Sequence, residues 1–275
     1  MRRPSRTATL VRMPARSTRL IVLVTLLLVV ALWGWGRTMT RRARTEWLQP
    51  VVVAVFVSGD VGEDQVASLR ASLDEVGRRL TEERNRYVPQ RTDPAFSFLL
   101  YGPLRPERLP PSEAPGPGWL DRALHAHALS RAERSIFAAA QGFDPAIADV
   151  RIHILASPRR GAAPFSAEGI GAEGGEVGVV RATFDASDAF LAASAAIHET
   201  LHCLGASDKY DAAGHATAPG GLPEPERVPS YPQRFAELMV GEVATGPASG
   251  RLPTGAAELA IGPATAAEIG WVAAR

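Results

Sequence analysis

Two histidines and a glutamate stand close together in the stretch "HETLHCLGASD", residues 198–208. On a helix, His198 and His202 lie on one face because residues four apart are separated by about one turn. Both imidazoles can therefore bind one metal ion, and Glu199, one step around the helix, can reach a water without binding the metal. Zinc lowers the pKa of such a water to about 7, so Glu199 is the candidate catalytic base and Zn²⁺ the expected cofactor.

A catalytic zinc site of this kind needs a third protein ligand and an open fourth position. Gly205 can adopt a left-handed conformation, which would end the helix and turn the chain sharply. Asp208, three residues later, can then return a carboxylate to the metal, and it is the predicted third ligand. Four other residues stay open as alternatives for this ligand: His215, Glu224, Glu226 and Glu237.

The extended pattern His198-Glu-x-x-His202-x-x-Gly205-x-x-Asp208 resembles the zinc motif of the metzincin metallopeptidases. The third ligand in that clan is usually a histidine, and the aspartate found here is similar to the snapalysin-type variant. The resemblance implies a zinc metalloendopeptidase that hydrolyses peptide or protein substrates, with His198, His202 and Asp208 on the metal.

The same resemblance implies two further features. One is a methionine in a tight turn that supports the zinc site from below, and Met239 in "FAELMVGEV" has suitable surroundings. The other is an edge strand that pairs with the substrate, for which residues 177–184 are the candidate. Tyr210 follows the motif and could stabilise a developing negative charge, but we expect it to have a packing role.

The hydrophobic pattern of the chain predicts an α+β fold, a mixed twisted sheet backed by helices. Residues 206–235, rich in Pro, Gly and Ala, are expected to be irregular, and the helix that carries the histidines is expected to start near Ser187. We predict a single domain over 50–275, with an upper subdomain over 50–205 and a smaller, loop-rich lower subdomain over 206–275. The predicted strands are 50–60, 95–102, 150–156 and 177–184, and the other predicted helices are 63–87, 119–141 and 261–272.

The N-terminal 49 residues differ sharply in charge from the rest of the chain. They hold ten arginines and one acidic residue, whereas residues 50–275 hold 20 basic and 28 acidic residues, a net charge of −8. An acidic domain argues against a nucleic-acid partner. The single cysteine, Cys203, excludes an intramolecular disulfide and is expected to be buried.

Residues 20–36, "LIVLVTLLLVVALWGWG", are uncharged, almost wholly apolar and long enough to span a thin bilayer. Six arginines precede this segment and four follow it. This difference favours a cytoplasmic location for the N-terminal residues 1–19. We therefore predict a single transmembrane signal anchor, a linker over 37–49, and a catalytic domain on the outer side of a bacterial cytoplasmic membrane. A cleaved signal peptide is the alternative.

Two other functions fit the same residues. One is a membrane-anchored binding module with a structural zinc site, and the other is a zinc amidase that acts on cell-wall peptides. Glu199 favours a catalytic site over a structural one, because a closed structural site has no use for a carboxylate that does not bind the metal.

Overall fold

The computed structural model describes residues 16–47, 49–111, 113–159, 165–171 and 174–272. The chain divides into two compact units, residues 1–42 and residues 43–275. The first unit contains most of helix α1 (Arg16–Thr45), and the described apolar side chains of that helix are exposed.

Helix α1 includes the segment 20–36 that was predicted to be a membrane anchor. The burial of Trp33, Gly34 and Gly36 lies outside what the structure describes, and so do residues 1–15 of the predicted cytoplasmic N-terminus. Over the stretches that the structure does describe, no helix combines the length and the hydrophobicity that a membrane crossing requires. The anchor at residues 20–36 is therefore not supported by the structure and stays a prediction.

The second unit is a mixed α and β structure built on a five-stranded sheet in the order β2-β1-β3-β5-β4. The first three strands, β1, β2 and β3, are parallel to one another and to β5, whereas β4 runs antiparallel to β5 at the sheet edge. Their bounds are β1 (Val51–Gly59), β2 (Phe96–Leu104), β3 (Val150–Pro158), β4 (Ser166–Gly171) and β5 (Val177–Phe184).

The prediction that residues 177–184 form the edge strand is wrong. These residues form β5, which pairs with β3 on one side and with β4 on the other. The edge strand is β4, whose sequence SAEGIG contains two glycines and one β-branched residue, so the local pattern does not predict a strand. These residues form a strand because they pair with β5 along their whole length.

Helices cover both faces of the sheet. Alternate valines of β1 face helices α2 (Glu63–Tyr87) and α4 (Ala189–Cys203) in the main core. Ala54 and Phe56 point to the opposite face, where they pack with Ile136 of helix α3 (Trp119–Ala139). Helix α4 begins two residues after Ser187, because Asp185 caps a short 3₁₀ turn that precedes it.

The C-terminal part is loop-rich, with a small four-stranded sheet in the order β8-β7-β6-β9. Its strands are two to four residues long, and the last helix, α5 (Pro263–Glu268), begins with the proline expected in its first turn. The strands are β6 (Ala236–Glu237), β7 (Val243–Gly246), β8 (Ser249–Arg251) and β9 (Leu259–Ala260).

Candidate metal centre

Helix α4 carries the two histidines of the motif. Ala192, Ala196 and Ile197 are buried in the main core, so this face of the helix is fixed against the sheet. His198 and His202 lie side by side one turn apart, with their ring centroids 4.8 Å from each other. The packed face of the helix thus sets the position of both imidazoles.

The chain reverses direction directly after α4. Gly205 has a φ angle of 107°, in the left-handed region that favours glycine, and the amide of Ala206 donates to the carbonyl of Leu201 at 2.9 Å. This turn brings Asp208 back to the histidines. Its Oδ1 atom lies 3.2 Å from Nε2 of His198 and 3.2 Å from Nε2 of His202.

Among the residues that the structure describes, His198, His202 and Asp208 form the group that could hold a metal ion. Their ligand atoms all lie within 4.8 Å of one another. A separation of 3.2 Å is close to the edge of a tetrahedron whose metal–ligand bonds are about 2.0 Å long, which is the length of zinc–nitrogen bonds. The spacing of the three side chains therefore suits a small divalent cation.

Hydrogen bonds to the backbone fix the tautomer of both histidines. Nδ1 of His198 lies 2.9 Å from the carbonyl oxygen of Leu238, and Nδ1 of His202 lies 2.8 Å from that of Ala206. A carbonyl oxygen only accepts, so each Nδ1 carries a proton and a neutral ring keeps the lone pair of Nε2. Both lone pairs point toward the carboxylate of Asp208, an arrangement that favours a positive charge between them.

The protonation behaviour of the group reflects the same attraction. The hydrogen bond with His198 lowers the pKa of Asp208, and the charge of His202 lowers it further. Burial lowers the pKa of His198, but the hydrogen bonds to Asp208 and to the Leu238 carbonyl outweigh burial and raise it overall. The group therefore binds a proton readily, and a metal cation would compete for the same place.

Glu199 lies in the cleft beside this group. Its side chain is buried, and Oε2 finds no hydrogen-bond partner within the described part of the chain. Burial raises the pKa of Glu199 to about 7, and the nearby charge of Asp208 also raises it. A buried carboxylate oxygen without a hydrogen-bond partner is costly in a structural role, and it is typical of a functional one.

Three glycines make room for the Glu199 side chain. A Cβ atom at Gly169 would overlap Oε1, one at Gly171 would lie 2.5 Å from Oε2, and one at Gly178 would lie 2.9 Å from the Glu199 Cβ. Two of these glycines are on β4 and the third is on β5. None of the three was predicted to be a functional residue, although the glycine-rich composition of 168–178 was a visible signal.

Tyr210 lies at the mouth of the cleft, and the packing role expected of it stays a prediction. Its side chain is 40% exposed, and its ring stacks near that of His198, with centroids 6.4 Å apart. Burial raises the pKa of Tyr210 to about 12, and the charge of Asp208 and a hydrogen bond to it contribute. The hydroxyl is therefore protonated at neutral pH and can donate a hydrogen bond beside the metal ligands.

Met239 is fully buried in a tight turn. The amides of Val240 and Gly241 both donate to the carbonyl of Glu237 at 2.9 Å, and Gly241 has a φ angle of 84°. The preceding residue, Leu238, accepts the hydrogen bond from His198. The turn that contains Met239 thus supports the first histidine through the backbone.

The alternative third ligands are engaged elsewhere. Glu237 is fully buried and accepts hydrogen bonds from Thr265 at 2.7 Å and from the amide of Gly262. His215 pairs with Glu242 at 3.2 Å. Glu224 pairs with Arg234 and with Arg227, whereas Glu226 is exposed. Among the described residues, Asp208 alone joins the two histidines.

The metal-binding group opens into a cleft of about 500 Å³. The cleft is lined by β4 with the preceding Phe165, by helix α4, and by the turn at Leu238 and Val240. Most of the side chains that line the cleft are apolar, and Glu199 and Asp208 are the carboxylates among them. The cleft can therefore hold an extended apolar ligand against a polar, metal-binding centre.

Comparisons with known proteins do not assign this chain. A scan against models of protein families, a search of curated proteins and a search of solved structures each found no match.

Proposed function

We propose that this chain is a zinc-dependent endopeptidase in which His198, His202 and Asp208 bind the metal and Glu199 is the general base. One observation carries the proposal: a three-ligand group shares a cleft with a buried carboxylate that does not belong to the ligand set. Hydrolysis of an amide needs such a base within reach of the attacking water, whereas a structural metal site has no use for one.

The donor set supports the choice of zinc. Two imidazole nitrogens and one carboxylate oxygen are the ligands of several catalytic zinc sites, and three protein ligands leave one position open for water or substrate. When bound, zinc would polarise the scissile carbonyl and provide a nucleophilic water at neutral pH. His198 and His202 are already held in the required tautomer by Leu238 and Ala206.

The side chains around the ligands would carry the protons. Glu199 would accept a proton from the attacking water as the water oxygen bonds to the carbonyl carbon. The same proton would pass to the amine nitrogen as the carbon–nitrogen bond breaks, and Glu199 would return to its ionised form. The Tyr210 hydroxyl, which hydrogen-bonds Asp208, would turn its one proton from Asp208 to the carbonyl oxygen as negative charge develops there.

Extended peptides are the substrate class that the cleft favours. The outer edge of β4 pairs with no other strand among the described residues, and β4 lines the cleft next to Glu199. A peptide could add to this edge as a further strand, so that its carbonyl groups pass the metal ligands. Leu191, Leu238 and Val240 line the same cleft, which favours an apolar side chain in the substrate.

Glu199 provides the test of the enzymatic reaction. We expect purified wild-type protein to contain one zinc per chain and to cleave members of a quenched-fluorescence peptide library. Glu199→Gln should keep the zinc and lose cleavage at least 1,000-fold, on the order of the effect of removing a general base. Glu75→Gln is the matched control, because Glu75 is an exposed carboxylate on α2 that does not line the cleft, and it should leave cleavage unchanged.

Each other outcome points to a different function. Zinc bound by a wild-type protein that cleaves no peptide would favour the binding module with a structural zinc site. Cleavage of cell-wall peptides without cleavage of protein substrates would favour the zinc amidase. Equal cleavage by wild type and Glu199→Gln would contradict the role given to Glu199.

The location of the activity is a separate proposal. The apolar segment 20–36 would anchor the chain in a bacterial cytoplasmic membrane, with the cleft on the outer side. An anchored chain would stay in the membrane fraction after a carbonate wash, and a chain without residues 1–36 would be released. Release of the full-length chain by the wash would contradict the anchor.

A further inference from the structure

The first half of helix α3 is unusual because it buries no side chain. The buried residues of this 21-residue helix are Ala132 and Ile136, both in its second half. Trp119, Leu120 and Leu124 are 81%, 53% and 59% exposed. A helix on the surface of a soluble domain normally turns its apolar residues toward the core, so large apolar side chains turned to solvent point to a binding surface.

These leucines share one side of α3 with basic residues. Leu124 follows Leu120 by about one turn, and Arg131 follows Leu120 by about three turns, so the three side chains lie along one line. Ala132 and Ile136 lie on another side of the helix, where Ile136 packs against the sheet. The exposed line is therefore apolar at its N-terminal end and basic at its C-terminal end.

The basic end forms one wall of a groove of about 600 Å³. Arg131 and Arg134 come from α3, and Arg105 and Arg108 come from the segment after β2. None of the four forms an ion pair with a carboxylate among the residues that the structure describes. Glu107 is the one carboxylate that lines the groove, which leaves it with a formal charge of +3 in a domain of net charge −8.

We propose that this surface, defined by Arg105, Arg108, Trp119, Leu120, Leu124, Arg131 and Arg134 and called here the α3 face, docks on an anionic lipid bilayer. The guanidinium groups would bind headgroup phosphates in a bidentate manner, and the leucines and the tryptophan would enter the interfacial region. Tryptophan is favoured at that depth because its ring is apolar and its N–H is polar.

The combination of charge and apolar exposure favours a bilayer over other occupants. A second copy of the chain would bring a groove of the same positive charge against this one. An acidic peptide would explain the arginines but not the exposed Trp119, Leu120 and Leu124. An anionic bilayer uses both ends of the face at once, and the proposal does not depend on the proposed peptidase activity.

A dye attached at position 124 tests the proposal in the full-length chain. The one native cysteine, Cys203, is buried, so Leu124→Cys can be labelled selectively with an environment-sensitive fluorophore. Glu75→Cys, at an exposed position of α2, provides the control label. Because the signal is local to the dye, it separates docking of α3 from any binding through residues 20–36.

With vesicles that contain 30% phosphatidylglycerol in phosphatidylcholine, we expect a blue shift and a rise in intensity at position 124 but not at position 75. Pure phosphatidylcholine vesicles should give no change. Combined Arg131→Gln and Arg134→Gln should weaken the lipid response roughly 30-fold, since each basic residue near an anionic surface contributes about fivefold. Arg122→Gln removes the same charge from another side of α3 and should change the response less than twofold.

Three results would overturn the proposal. The first is an equal response at positions 124 and 75, and the second is a response that Arg122→Gln reduces as much as the groove variants do. The third is a change at position 124 that depends on protein concentration without lipid, or that poly-glutamate produces as strongly as vesicles. A dependence on protein concentration would assign the α3 face to a second copy of the chain, and a response to poly-glutamate would assign it to an acidic polypeptide.

Discussion

Gly169 faces the carboxylate of Glu199 so closely that a methyl group in place of its α-hydrogen would overlap Oε1. Strand β4 therefore shapes the position of the candidate base, although it is distant from Glu199 in the sequence. Gly171 and Gly178 also leave space for this side chain, because a Cβ atom at either position would lie within 3 Å of it. The orientation of Glu199 thus depends on the sheet edge as well as on α4.

This contact predicts that Gly169→Ala displaces Glu199 without disturbing the metal ligands. We expect kcat for peptide cleavage to fall at least 100-fold while the zinc content stays at one per chain, because a misplaced base loses its reach to the water. Gly255→Ala is the matched control, since Gly255 has extended backbone and its added methyl would meet open space. A Gly169→Ala enzyme with wild-type kcat would contradict this role of β4.

Replacement of Asp208 tests the third ligand. Asp208→Asn keeps the shape of the side chain but removes the charge that both histidines face, so the affinity for zinc should fall at least 100-fold. Competition with a fluorescent zinc chelator measures this change. The matched control is Glu226→Gln, at an exposed position that the sequence also allowed as a ligand. A larger loss of affinity in this control than in Asp208→Asn would contradict the assignment.

The loop that carries Asp208 is held by the only lysine of the chain. Lys209 is buried, and its Nζ donates to Glu268 at 2.7 Å and to the carbonyl oxygen of Ser207 at 2.8 Å. Glu268→Gln would leave the lysine charge without its carboxylate and should lower the free energy of unfolding by about 1–3 kcal/mol. It should also weaken zinc binding about tenfold, because it loosens a residue that orients a ligand.

Chemical unfolding in the presence of a chelator separates the two effects of Glu268→Gln, since stability is then measured without metal. Glu258→Gln is a suitable control, because Glu258 also pairs with a cation, Arg251, but on the exposed surface. A Glu268→Gln protein that unfolds like wild type and binds zinc equally well would show that Lys209 does not position the loop.

Glu237 predicts a specific pH dependence of stability. Burial raises its pKa from 4.5 to about 7 in the folded protein. The folded state then holds a proton that the unfolded state has released, so the contribution of Glu237 is complete below pH 4.5 and is lost as the pH rises to about 7. The total loss should be about 3 kcal/mol.

Glu237→Gln removes this titration, because the amide stays neutral at every pH. Urea unfolding of wild type and variant at pH 4.5, 6 and 8 should show that the variant gains stability relative to wild type as the pH rises. Parallel pH profiles for the two proteins would contradict the prediction. Zinc should be chelated in both, so that ligand titration does not contribute.

Much of the larger sheet and its helices could be predicted from the sequence. The pattern of Val66, Leu69, Leu73, Val76 and Leu80 gives helix α2 with its observed bounds, because one apolar side at a period of 3.6 residues is a local property. The predicted strands lie within two residues of β1, β2, β3 and β5, since their β-branched runs are buried. The local hydrophobic pattern of each of these elements is therefore enough to predict it.

Strand β4 and the small C-terminal strands could not be predicted in this way. Strand β4 has glycine where the carboxylate of Glu199 needs space, and that requirement comes from α4, not from neighbouring residues. The strands of the small sheet are too short for an alternating pattern. Helical spacing is enough to predict that His198, Glu199 and His202 belong to the site. The hydrogen bonds from Nδ1 of the two histidines to backbone carbonyls are visible only in the folded chain. The same holds for the hydrogen bond between Glu237 and Thr265, which occupies one of the alternative ligands.

A structure of the zinc-loaded protein, with anomalous data on both sides of the zinc absorption edge, tests the central claim most directly. We predict one zinc ion bound by Nε2 of His198, Nε2 of His202 and a carboxylate oxygen of Asp208, each at about 2.0–2.2 Å, with Glu199 near but not on the metal. A zinc ion bound by Glu237 or His215, with the carboxylate of Asp208 turned to solvent, would contradict the assignment of this site.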